Sequence, residues 1–259
     1  MFLKNMQGAM RRGLTGVQSY ITNYILKESC MAVDMELELM LRPPSLPMAP
    51  YPPKVITLAN GKKMVVREAH REDVPTLLKS VHPTLFIHKD FYDVVGARLY
   101  SELLGMYTYR TANEFCLVGQ IDGFLVGMVN SRMYSAKTGM SLHTLAIDRG
   151  LRVGAHLFAA KMEHHIEYLG QEEVLIVAES PIGFRRWMLE YGLEPTDIPH
   201  ELGGALSYRL TRELYFETKP RLVVGDRPVP PELLEVAQRE IIIASEAETR
   251  EKIAGLKGR

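Results

Sequence analysis

The sequence predicts an α/β domain carrying an extension at each end, and three observations lead there. Between about residues 64 and 214, short apolar runs of strand character alternate with segments of helical period. Asp122-Gly123 joins two of the runs with the residue pair best suited to a tight type I′ turn. Prolines crowd into 43–53 and again into 228–231, where missing amide donors and fixed φ favour extended linkers.

The elements follow in order. Residues 1–27 carry Lys4, Arg11, Arg12 and Lys27 with no acidic side chain, and their apolar positions fall at helical spacing. Residues 31–41 change to period two, Met31, Val33, Met35, Leu37, Leu39 and Leu41 alternating with acidic positions, which predicts a strand. Beyond the prolines come a strand at 64–68 and helices at 72–81 and 91–104. The hairpin strands span 115–121 and 124–133, and a further strand spans 141–147. A long helix from 153 to 169 stops at Gly170. A wholly apolar strand at 174–178 then leads to Ser180-Pro181, an N-cap hydroxyl followed by proline at the first helical position. Gly192 ends that helix, 205–210 is the last core strand, and 232–256 reads as one charged helix. The boundaries drawn are an N-terminal extension at 1–42, a linker at 43–62, the domain at 63–218 and a C-terminal extension at 219–259.

Composition narrows the function. Lys plus Arg equals Asp plus Glu at 31 each, so no net field draws the chain to nucleic acid. No apolar run reaches the roughly 20 residues that cross a bilayer. Two cysteines, Cys30 and Cys116, give no disulfide framework and point to a reducing, cytoplasmic setting. The eight histidines include His164 and His165, but no HExxH or zinc-type spacing, so no metal is expected.

The succession strand, helix, helix, hairpin, strand, long helix, strand, helix, strand resembles the GNAT superfamily of acyl-CoA-dependent N-acyltransferases. Local sequence adds to the resemblance: Val66-Arg67-Glu68-Ala69 with Asp73, Leu77 and Leu78 looks like the family's opening strand and helix. Residues 115–129, FCLVGQIDGFLVGMV, are similar to its central hairpin. Leu145-Ala146-Ile147-Asp148 followed by Arg149 to Gly154 looks like its pyrophosphate-binding segment, and residues 187–193 resemble its closing helix. The resemblance covers about 150 residues. It implies a mixed, mostly antiparallel central sheet flanked by helices, and transfer of an acyl group, acetyl first, from CoA to an amine.

Acyl transfer needs a bound thioester, donors for the oxyanion, a base for the ammonium and an acid for the thiolate. A strand ending in a turn and a helix N-terminus offers unpaired amides to a pyrophosphate. Leu145, Ala146, Ile147, Arg149, Gly150, Arg152, Val153, Gly154 and Ala155 are therefore the expected acyl-CoA contacts. The resemblance implies a polar residue near CoA at Ser180 and a tyrosine acid on the closing helix. That position here is Met188, which leaves Tyr191 as the candidate acid. His143, on the central strand, is the candidate base because imidazole titrates near neutrality; Glu114 and Glu179 are weaker candidates.

Three departures, Met188, Arg152 where the family has glycine, and a turn about three residues short, support a second reading. In it the chain is a catalytically degenerate GNAT-like subunit of a larger assembly. The extensions, 1–41 and the C-terminal helix, would then serve a homodimer or a partner protein. The basic start of the chain supports a third, that of a protein at a membrane surface or in an organelle.

Overall fold

The computed structural model describes residues 37, 40–185, 189–202 and 207–254. The predicted helix at 1–27, Cys30, Trp187 and Met188 lie outside them. The chain divides into two units, Met1–Pro43 and Pro44–Arg259. In the first, the strand predicted over 31–41 is corrected at its end, where Leu41 N–H donates to the Leu37 carbonyl at 2.9 Å in a helical turn.

Among its described residues the second unit is built on eight strands: β1 (Lys54–Thr57), β2 (Lys63–Glu68), β3 (Glu114–Ile121), β4 (Phe124–Met133), β5 (Thr138–Ala146), β6 (Glu173–Ile176), β7 (Glu194–Thr196) and β8 (Ser207–Thr211). They form one sheet in the order β1-β2-β3-β4-β5-β6-β8-β7. Every neighbouring pair is antiparallel except β5 with β6. The helices are α1 (Val74–Val81), α2 (Tyr92–Tyr107), α3 (Val153–Glu163), the one-turn α4 (Pro181–Gly183) and α5 (Leu189–Tyr191), α6 (Arg212–Leu222), α7 (Pro231–Gln238) and α8 (Glu246–Ala254).

Alternation along β3 explains the layering. Phe115 and Leu117 pack with Val153, Leu157 and Ala160 of α3. Cys116 and Val118 turn the other way, into the layer made by Val74 and Leu77 of α1 and Leu99 and Leu103 of α2. A strand buried on both faces has no polar face, which is why β3 reads as a continuous apolar run. The hairpin forms as predicted, with φ of 51° at Asp122 and 83° at Gly123. Gly127 of β4 is required by packing: a Cβ there would stand 2.9 Å from the Leu145 carbonyl and from Val153 Cγ1. Its absence lets α3 lie close against the sheet.

The predicted linker at 43–62 is corrected. Its prolines end at Pro53, and β1 begins at the next residue, pairing Lys54 with Val66 through Thr57 with Lys63. Lys54 is drawn inside by Glu163 of α3, whose carboxylate lies 2.8 Å from the ammonium. Glu163 also accepts from Tyr51 and Arg227. The predicted C-terminal helix at 232–256 is corrected to α7 and α8. Between them Ile242 joins the hairpin, donating to the Gly123 carbonyl at 3.1 Å and accepting from Leu125 at 2.9 Å. Ser245 and Glu248 form the capping box that starts α8. Strand β7 and helix α6 have no counterpart in the sequence reading. Among the described residues no helix is long and apolar enough to cross a membrane, and no group of His, Cys, Asp and Glu is placed to hold a metal ion.

The long predicted helix runs as α3 to Glu163 and continues as a π-helical turn, His164–Tyr168. His164 is wholly buried, edge-on to Phe115 and Tyr51, and neither ring nitrogen has a hydrogen-bond partner among the described residues. Burial lowers its pKa from 6.5 to about 4. A histidine held neutral this way contributes stability that is complete above pH 6.5 and is lost as pH falls toward 4. His164→Phe should therefore be at least as stable as the parent at pH 7. Its urea midpoint should fall less between pH 6.5 and 4, while His165, lowered to about 3, keeps its own share of the decline. Equal acid sensitivity of variant and parent would contradict this.

Candidate active site

The site begins where two parallel strands stop pairing. Strand β5 is bonded to β6 only from Thr138 with Glu173 to Ser141 with Ile176. β6 ends there, and β5 runs on to Ala146, bonded on one side to β4. The register of β4 with β5 shifts at the same level, from Val129 opposite Thr144 to Ser131 opposite Ser141. Leu142 and His143 thus face Asn130 alone, a β-bulge that bends β5 away from its neighbour.

Three side chains hold the bulge. Asn130 Oδ1 accepts from the His143 N–H at 3.0 Å, and its amide donates to Glu114 at 2.8 Å. Lys161, fully buried on α3, donates to the carbonyls of Asn130 at 3.3 Å and His143 at 3.1 Å. Burial pulls the Lys161 ammonium down to about 7. Burial, with Glu102 beside it, pushes the Glu114 carboxyl up to about 8.

Beyond the bulge the parted strands leave a cleft of about 630 Å³. Thr144, Leu145 and Ala146 form one lip and residues 180–183 the other, with 148–150 and 152–155 across one end. Of the predicted contacts, Leu145, Ala146, Arg149, Gly150, Arg152, Val153, Gly154, Ala155 and Ser180 all line it. Ile147 does not: its N–H goes to the Val126 carbonyl at 2.9 Å, and its side chain is buried with α1 and α2. Tyr191 is also corrected. It is buried with Phe158, Val174 and Leu210, its ring 5.4 Å from that of Phe158, away from the main cleft.

The turn explains Arg152. Gly150 has φ of 91° and Arg152 φ of 58°, both left-handed, a conformation that glycine accepts without strain. The glycine expected at this position from the sequence is matched by backbone shape, and the guanidinium turns toward Glu190 at 3.1 Å. Arg152 occupies the N-cap of α3 without making a side-chain cap bond, so among the described residues the first-turn amides have no N-cap side chain on them. Ser180, in contrast, caps its own turn, accepting from Gly183 N–H at 3.1 Å while lining the cleft.

The sequence reading missed the opposite wall. Asp90 and Phe91 are consecutive left-handed residues, φ 53° and 61°, at the start of α2. Asp90 meets Arg149 at 2.8 Å. Tyr92, its phenol pushed up to about 12 by burial, donates to the Ala146 carbonyl at 2.8 Å. Helix α8 backs the turn through Lys252 with Asp148 at 2.8 Å and Arg149 with the Ile253 carbonyl at 3.4 Å. Lys89, Arg149, Arg152 and Arg185 face the cleft against Asp90 and Asp148, an excess of positive charge beside the α3 amides. His143 lies one residue inward of the lining, fully buried, with Nδ1 2.8 Å from Glu179 Oε2. Arg98 of α2 bonds the other oxygen of Glu179, also at 2.8 Å. Burial disfavours the charge on Glu179, but the bonds from His143 and Arg98 outweigh it and hold its carboxyl below the usual range.

Because a left-handed non-glycine residue costs about 1–2 kcal/mol and an exposed ion pair returns about 0–1, Arg152→Gly should leave stability unchanged or raise it slightly. A urea-unfolding loss of about 2 kcal/mol or more would show that Arg152 holds the turn.

No protein-family model and no curated protein matches the chain. It is similar to solved structures at low identity. One is an uncharacterized protein from Bacillus halodurans, with 13% identity over 66% of this chain and 95% of that one and a TM-score of 0.48. A second is PaiA N-acetyltransferase from Thermoplasma acidophilum in complex with coenzyme A, with 15% identity over 57% and 98% and a TM-score of 0.39. A third is Mycobacterium smegmatis RimJ in complex with CoA-disulfide, with 13% identity over 62% and 86% and a TM-score of 0.41. On its own strand order, with one parallel pair in an otherwise antiparallel sheet flanked by helices, the architecture is GNAT-like.

Proposed function

We propose that this chain is an acyl-CoA-dependent N-acyltransferase, moving acetyl from acetyl-CoA to an amine. The observation that carries the reading is the parting of β5 from β6 beside the uncapped N-terminus of α3. An extended amide-bearing arm can pair with the open side of β5 as an added strand does. An anion on the same molecule would then reach the first-turn amides of α3, where the helix dipole favours negative charge.

The residues divide the work accordingly. Gly150, Arg152, Val153, Gly154 and Ala155 would hold the pyrophosphate, with Arg149 adding charge from a position fixed by Asp90 and Tyr92. Leu145 and Ala146 would flank the arm, and Ser180 would stand at the opposite lip. The fit is reasonable in size, since pockets that bury a small ligand span about 300–1,000 Å³. The acceptor would be an amine approaching from the α2 side, where Arg98 bonds Glu179.

Titration calorimetry of the full chain with acetyl-CoA tests the reading. Saturable binding is expected, and Arg149→Ala should weaken it about tenfold or more, the worth of one charge-assisted bond. No heat at millimolar acetyl-CoA would rule the reading out. Saturable binding without thiol release from any amine offered would leave a binding subunit instead of an enzyme.

A further inference from the structure

Resting on that reading, we infer that His143 is the proton acceptor for the amine, and that Glu179 and Arg98 are the residues that position it. His143 has one satisfied ring nitrogen and one that is not. Nδ1 meets Glu179 Oε2 at 2.8 Å, whereas Nε2 is buried with no partner among the described residues. A carboxylate on Nδ1 fixes the proton there and leaves the Nε2 lone pair open. A buried nitrogen without a partner costs free energy and calls for an explanation; His164 is packed edge-on to aromatic rings, whereas His143 stands beside the gap left by β6.

Position supports the role. His143 precedes Thr144 of one lip, and Glu179 precedes Ser180 of the other. The pair therefore bridges β5 and the chain leaving β6 past the last bonded residues, Ser141 and Ile176, one residue behind each lip of the cleft. A ligand anchored by its anion at 149–155 and extended along β5 brings its far end, the thioester, toward this pair. Arg98 fixes Glu179 from α2, and the bulge fixes His143 through Asn130 and Lys161. His200 is held neutral by a different pattern, donating to the Ser141 carbonyl and accepting from Leu202 N–H, so it has no free nitrogen to offer.

The step balances as follows. The ammonium gives one proton to Nε2, and the freed lone pair forms the C–N bond at the thioester carbonyl. The C–S bond then breaks as the carbonyl reforms. The imidazolium returns its proton to the departing thiolate, and the second proton of the new amide nitrogen leaves to solvent.

Acetyl-CoA with n-butylamine as probe, followed by thiol release in the full chain, tests this. His143→Gln keeps a donor for Glu179 and should lose about 10²-fold or more of turnover, the contribution of a general base, while acetyl-CoA affinity by calorimetry stays within about threefold. Glu179→Gln removes the carboxylate that fixes the Nδ1 proton and should lose less, with the loss in kcat while KM and acetyl-CoA affinity stay within about threefold of the parent. Full turnover in His143→Gln overturns the inference. If butylamine is not acetylated, nitrogen-15 spectra of labelled histidine decide: an Nδ1–H tautomer whose Nε2 resonance moves on adding acetyl-CoA supports it, and an Nε2–H tautomer or an unmoved resonance overturns it. Failure of the parent protein to bind acetyl-CoA would instead remove the reading on which the inference rests.

Discussion

Lys161 reaches from α3 to the carbonyls of Asn130 and His143, and the geometry of the cleft depends on those two bonds. A bulge leaves backbone groups out of register, and buried backbone oxygens without donors are costly. The lysine supplies both donors from outside the ladder. Because an amine retains two N–H groups after losing a proton, both carbonyls stay satisfied on either side of the value near 7 to which burial lowers it. With the bulge fixed, β5 turns away from β6 and His143 faces Glu179.

Helix α3 therefore has three tasks. Its N-terminus presents uncapped amides at the cleft. Its middle carries Lys161 to the bulge. Its last residue, Glu163, gathers Tyr51, Lys54 and Arg227, which brings the start and the tail of the unit onto one carboxylate. Burial works against that charge, but Arg227, Lys54 and Tyr51 outweigh it and hold the carboxyl down at about 2. The tail is thereby part of the working domain: α8 backs the turn that carries Arg149, and Ile242 extends the hairpin.

What was legible in the sequence is what local chemistry dictates. Asp122-Gly123 and Ser180-Pro181 are short patterns whose backbone demands few other sequences meet, and both formed as read. The turn from Arg149 to Ala155 was found because a strand, a glycine and a helix start follow in succession. The bulge was not legible, since nothing in Ser141-Leu142-His143-Thr144 distinguishes an extra residue from regular alternation. Tyr191 was misplaced because a tyrosine one turn along a helix can face core or cleft, and Phe158 decides which. β1 was hidden by adjacent prolines, and its buried Lys54 makes sense only with Glu163, more than a hundred positions away. Asp90 and Tyr92 were passed over because their partners, Arg149 and Ala146, meet them only across the cleft.

Under the proposed function, the open side of β5 is the surface that receives the donor. Amide hydrogen exchange across 142–148 of the full chain, with and without saturating acetyl-CoA, measures this directly. Slower exchange is expected at Thr144 to Ala146 and in the first turn of α3 when acetyl-CoA is bound. Saturable binding that leaves exchange there unchanged would place the ligand elsewhere and contradict it.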